Sequence, residues 1–159
     1  MRQLAARLGK RLKASRAMLV TAESCTGGWV AQAVTAVAGS SDWFERGFVP
    51  YSNDAKREML GVRADTLARH GAVSEETARE MATGALQQSK GTLCVAVTGV
   101  AGPGGGSPAK PVGTVCFAWE RKNGLRHAET RRFAGNRESV RKQSVIHALE
   151  GVLKLLDEG

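Results

Sequence analysis

Two short segments of this 159-residue chain hold side chains that could do hydrolytic chemistry. The first, Thr21-Ala22-Glu23-Ser24-Cys25-Thr26-Gly27-Gly28, follows the apolar run Ala17–Val20 and opens a small-residue segment, Gly28–Val37. That order reads as strand, turn and helix, with hydroxyls and backbone N–H groups gathered at the turn. The first N–H groups of a helix have no intrahelical acceptor and carry partial positive charge, so such a turn suits an anionic ligand. It equally suits a nucleophilic serine, Ser24, whose developing oxyanion needs donors close by. The second segment is Tyr51-Ser52-Asn53-Asp54-Ala55-Lys56. It reads as a helix start with Asn53 as N-cap, Asp54 at the first helical position and Lys56 at the third. A lysine there faces the positive end of the helix dipole. Desolvated as well, it loses its proton more easily and can serve as a general base; solvated and neutralised by Asp54, it is an ordinary surface lysine.

Other nucleophiles and bases are poorly placed. His70 precedes Gly71 at a helix end, His127 lies in a charged hairpin strand and His147 falls inside the last helix, so none sits in a triad pattern or at metal-ligand spacing. The cysteines are Cys25, Cys94 and Cys116, and the last two lie in apolar strand-like runs, where buried free thiols are expected. Free thiols point to a cytoplasmic protein. Cys25 is the rival nucleophile to Ser24, without a histidine partner in view. Serine plus lysine is the one economical hydrolytic pair, and it requires two different elements to meet.

The elements that must position the pair are strands and helices in alternation. Strand-like runs occur at Ala17–Thr21, Phe44–Tyr51, Thr92–Thr98, Val112–Trp119 and Gly124–Phe133. Helical patterns occupy the basic N-terminus (Leu4, Ala5, Leu8, Leu12), Gly28–Val37, a segment capped by Ser74 (Ala78, Met81, Ala82, Ala85, Leu86) and the C-terminus (Val145, Leu149, Val152, Leu153, Leu156). This mixture predicts an α/β layered domain. The last two strands have no helix between them, and Asn123-Gly124 signals a hairpin, so the sheet is predicted to be mixed. Gly99–Pro111, with five glycines and three prolines, is a loop at the carboxyl end of a strand, where α/β proteins bind ligands. It is not a P-loop, because no GxxxxGK[ST] is present.

Length predicts one domain, residues 1–159. A continuous apolar run is lacking, which argues against a signal peptide or membrane span. The formal charge is +8, with six Lys/Arg and no acid in residues 1–22 and eight against three acids in 120–142. Aromatics are only 5% and no nucleic-acid-binding motif appears, so a solvated basic face or attraction of a phosphorylated small molecule is expected rather than nucleic-acid binding.

Together with Gly71-Ala72-Val73-Ser74, Thr98-Gly99-Val100-Ala101-Gly102-Pro103 and Lys110-Pro111-Val112-Gly113-Thr114-Val115, the two opening segments closely resemble the CinA C-terminal domain family. The resemblance covers nearly the whole chain. It implies a three-layer α/β/α fold with a mixed five-stranded sheet and a homo-oligomer; from the length, the N-terminal molybdopterin-binding-type domain that longer CinA proteins carry is not expected. It also implies hydrolysis of nicotinamide mononucleotide to nicotinic acid mononucleotide and ammonia in pyridine-nucleotide salvage, without metal or cofactor. On this reading Ser24 attacks the amide carbon, Lys56 takes and returns the proton, and Tyr51 positions or relays. Thr98 and the N–H groups of Gly99–Gly102 contact the oxyanion or carboxamide. Substrate contacts are further expected from Asn53, from Thr26, Gly27 and Gly28 toward the phosphate, and from Arg137 and Arg141. Pro50, Gly104 and Asn136 depart from the family pattern. The competing expectation is a catalytically silent nucleotide-binding regulatory module; the presence of both Ser24 and Lys56 argues for the enzyme.

Overall fold

The computed structural model describes residues 1–158. In chain order the elements are α1 (Arg2–Ala14), β1 (Leu19–Glu23), α2 (Trp29–Thr35), a 3-10 turn (Ser40–Asp42), β2 (Phe44–Phe48), α3 (Asn53–Leu60), α4 (Ala64–His70), α5 (Glu75–Gln87), β3 (Leu93–Gly99), β4 (Thr114–Arg121), β5 (Arg126–Arg132) and α6 (Arg137–Glu158). All five strand-like runs form strands, in one sheet of order β2-β1-β3-β4-β5. β1 lies parallel to β2 and β3, whereas β4 is antiparallel to both its neighbours, so the sheet is mixed as predicted.

Period-two alternation splits the sheet's side chains between two cores. Leu19, Leu93, Val95, Val97, Val115, Phe117 and Trp119 face α1, α2 and α6. Their neighbours Val20, Ala22, Cys94, Ala96, Cys116 and Ala118 face α5, which presents Ala78, Met81, Ala82 and Ala85. Small residues on both sides of that second interface let α5 lie close to the sheet. β1 is buried at every position, the polar Thr21 and Glu23 included. β2 is an edge strand and stops at Phe48, three residues before Tyr51; Pro50, which has no N–H to give a ladder, follows it.

One boundary matters for function. β1 begins at Leu19 rather than Ala17 because Ala17 still belongs to the end of α1, its N–H donating to Leu12 O at 2.9 Å. The strand therefore runs to Glu23 and delivers Ser24 directly at its carboxyl end. The chain leaves β1 through α2 on one face of the sheet and returns to β3 through α5 on the other. The carboxyl ends of β1 and β3 thus flank the point where the connections diverge, the usual ligand position in open α/β sheets.

Candidate active site

Ser24 is fixed by the sheet. Its N–H donates to Val97 O at 2.9 Å, extending the β1–β3 ladder one residue past the strand. Its side chain has little freedom, since the residue is only 7% exposed.

Lys56 arrives from the opposite layer. Ser52, not Asn53, is the N-cap of α3: it is extended, and its Oγ accepts from Ala55 N–H at 3.0 Å. Serine and asparagine cap about equally well, so what decides is where the chain leaves the extended conformation. Asn53 is then the first helical residue and Lys56 the fourth, with its N–H donating to Ser52 O at 3.0 Å. Asp54, expected as a neutraliser, lies instead 4.0 Å from Arg57. Lys56 is 2% exposed and takes part in no ion pair among the described residues. Its Nζ donates to Ser24 Oγ at 3.0 Å and to Tyr51 O at 3.1 Å. Burial without a countercharge pulls this lysine below its ordinary pKa.

Tyr51 reaches the pair through its backbone. Its carbonyl also accepts from Ser24 Oγ at 3.3 Å, so one oxygen aligns both groups. The residue is 59% exposed, and its phenol oxygen accepts from Arg137 Nη2 at 3.4 Å at the mouth of the site. Arg137 also donates from Nη1 to Gly102 O at 2.8 Å, linking the start of α6 to the glycine-rich loop.

These groups line a cleft of about 420 Å³ with Cys25, Ser52, Asn53, Ala72, Val73, Thr98, Gly99 and Ala101. Thr98 Oγ1 donates to Ala72 O at 2.8 Å, leaving its lone pairs for a ligand N–H. Cys25 is buried, which pushes its thiol up to about 12; it is protonated at neutral pH and a poor rival to Ser24. Among the described residues no cluster of His, Cys, Asp and Glu is arranged to hold a metal ion.

Five of the expected substrate contacts lie elsewhere. Thr26, Gly27, Gly28, Gly102 and Arg141 do not line the cleft; Gly102 instead gives its carbonyl to Arg137. The start of α2 already holds an anion of its own: Glu23 accepts from Val30 N–H at 2.7 Å, Ala31 N–H at 3.0 Å and Thr26 Oγ1 at 2.7 Å. Arg141 donates to Cys25 O and Thr26 O, both at 3.1 Å, and its guanidinium lies 5.5 Å from the centre of the Trp29 ring. Gly27 and Gly28 serve the turn itself, both with positive φ (60° and 104°).

A family model described as the CinA C-terminal domain matches residues 1–156. The chain belongs to the CinA C-terminal domain family. Within that family it is 53% identical over 148 residues to a protein named nicotinamide-nucleotide amidohydrolase PncC from Escherichia coli K12, covering 93% of this chain and 90% of the relative. It is 54% identical over 152 residues to a protein of the same name from Pseudomonas putida, covering 96% and 94%. The crystal structure of competence/damage inducible protein CihA from Agrobacterium tumefaciens superposes with a TM-score of 0.95 at 48% identity, covering 97% and 94% of the two chains.

Of the family segments, Gly71–Ser74 supplies Ala72 and Val73 to the cleft wall, a role not read from sequence, while Ser74 caps α5 as expected, accepting from Thr77 N–H at 3.1 Å. Asn136, a departure from the family pattern, caps α6: its Oδ1 accepts from Ser139 N–H at 2.9 Å. Ser52 was passed over in favour of Asn53 as the cap, and Glu23 was legible only as part of the turn.

Proposed function

We propose that this chain hydrolyses the carboxamide of nicotinamide mononucleotide, giving nicotinic acid mononucleotide and ammonia in pyridine-nucleotide salvage, with Ser24 as nucleophile and Lys56 as general base and acid. The observation that carries the mechanism is the 3.0 Å contact between a buried lysine without a countercharge and a serine at the end of β1. The relatives named for amidohydrolysis of nicotinamide nucleotide support the substrate.

In the reactive state the Lys56 amine is neutral. One N–H donates to Tyr51 O, and its lone pair accepts the Ser24 hydroxyl proton as Oγ attacks the amide carbon. The proton then passes to the departing nitrogen, which leaves as ammonia, and an ester remains on Ser24. Water attacks that ester, with Lys56 again taking the proton, and releases the carboxylate and the free serine.

Negative charge on the carbonyl oxygen needs donors aimed at it. Ala101 lines the cleft, and its N–H has no backbone acceptor among the described residues, so it is the donor we assign. Thr98 Oγ1 receives the carboxamide N–H, and Asn53 lies on the same wall. Arg137, at the mouth, meets the phosphate. Three buried free cysteines support a reducing, cytoplasmic setting.

The test is turnover by the purified protein. Equal amounts of ammonia and nicotinic acid mononucleotide are expected from nicotinamide mononucleotide. Tight binding of the nucleotide with no product would replace the enzyme by a silent nucleotide-binding module.

A further inference from the structure

We infer that Glu23 and Arg141 are positioning residues that hold the nucleophile turn from opposite sides, and that Arg141 acts on the turn rather than on the substrate phosphate. The inference rests on the Ser24 reading above.

Glu23 is fully buried immediately before Ser24. Its two oxygens take three hydrogen bonds, two from the first N–H groups of α2 and one from the Thr26 hydroxyl. A buried carboxylate is tolerable only when so satisfied. The result is that the turn's entry and its helix are tied through one side chain. Arg141 grips the other polarity of the same turn. Its fork donates to the carbonyls of Cys25 and Thr26, which follow Ser24 directly, while its flat face lies over Trp29 at the start of α2. The turn has its own N–H bonds, from Gly27 to Ser24 O and from Trp29 to Thr26 O, each 3.0 Å. Two positive-φ glycines leave it free to deform, and the two charged side chains remove that freedom. Both contacts lie within two residues of Ser24, so loosening either one moves Oγ relative to Lys56. A displacement of about 1 Å at a reacting atom is worth about 100-fold in rate.

The experiment compares wild type, Arg141→Ala, Arg141→Lys and Glu23→Gln on nicotinamide mononucleotide and on nicotinamide riboside, which lacks the phosphate. In parallel, the rate at which a fluorophosphonate labels Ser24 is followed by mass spectrometry. Arg141→Ala is expected to lose about 100-fold in kcat on both substrates with KM little changed, and to lose labelling rate in step. Arg141→Lys recovers part of the loss, because a single ammonium cannot bond both carbonyls as a fork does. Glu23→Gln keeps the shape but turns an amide N–H toward a backbone donor, and is expected to show the same kcat-only loss. A rise in KM confined to the phosphorylated substrate would make Arg141 a phosphate ligand and overturn the inference. Unchanged labelling in folded Arg141→Ala would overturn it too, and that arm decides even if wild type does not turn over nicotinamide mononucleotide.

Discussion

Lys56 is held where an ammonium is poorly solvated, and that has consequences for both rate and stability. Because burial lowers its pKa from the ordinary 10.5, kcat/KM is expected to rise with pH through a single ionisation below the normal lysine range, measured as a pH–rate profile. The sign for stability follows from proton counting. Between the folded and unfolded pKa values the unfolded chain binds more protons, so stability rises with pH across that window and is lowest below it. Replacing the ammonium should therefore help the fold while destroying the activity. Lys56→Met is predicted to be inactive and to melt higher at neutral pH, by about 2–4 °C for each kcal/mol recovered. Cys25, protonated with a pKa near 12, makes the opposite prediction: Cys25→Ala retains most of kcat, and iodoacetamide at pH 8 leaves the enzyme active. The residue types of the pair were readable from sequence because serine in a strand–turn–helix and lysine in a first turn are unusual chemistry carriers. The Tyr51 contribution was not, since it comes from a carbonyl that every residue possesses. Nor could Arg137 be told from Arg141. They stand four residues apart on one face of α6, about 6 Å along the axis, and that one turn separates the cleft mouth from the nucleophile turn.

At the scale of elements, the site depends on how α3 is seated. α5 carries Gly84 where α3 ends: a Cβ at that position would stand 1.9 Å from the Leu60 carbonyl oxygen, with no flexible side chain to give way. Gly84→Ala is expected to push α3 outward, costing about 1–3 kcal/mol in a denaturant melt and reducing kcat by drawing Lys56 from Ser24. Ser74→Ala separates the two effects. It removes the α5 cap and the Ser74 hydroxyl's bond to Gly71 O without touching the seat of α3, so about 1 kcal/mol of stability is lost with kcat retained. Element existence was legible throughout, because hydrophobic periodicity decides it. Ends were less so: β1 started two residues late because the close of α1 claims Ala17, and α3 was capped by Ser52 because the chain stays extended one residue less than the asparagine implied. The approach of α3 to β1 left no local trace, as it arises from a glycine 28 positions away from the lysine it serves.

For the whole molecule, the layered arrangement explains why a dyad from residues 32 apart can form at all: β1 ends within the sheet, α3 packs on the α5 side of it, and Ser24 and Lys56 meet where the sheet's connections diverge. Net charge adds a longer-range effect. With +8 on the chain and an anionic nucleotide as substrate, kcat/KM is expected to fall between about 0.01 and 0.15 M salt, over which the screening length shrinks from about 30 to 8 Å. The cationic riboside should show no such fall. Charge left a solvated basic face and attraction of a phosphorylated molecule both open, and it pointed to no one cation, because α2, the expected anion site, is filled by the protein's own Glu23.

The central claim is that Ser24 and Lys56 act as one unit, and ammonia release from nicotinamide mononucleotide by Ser24→Ala and Lys56→Ala beside wild type tests it most directly. Both folded variants are predicted to be inert, each alone removing as much rate as the two together. Turnover near the wild-type rate in either variant would contradict the dyad.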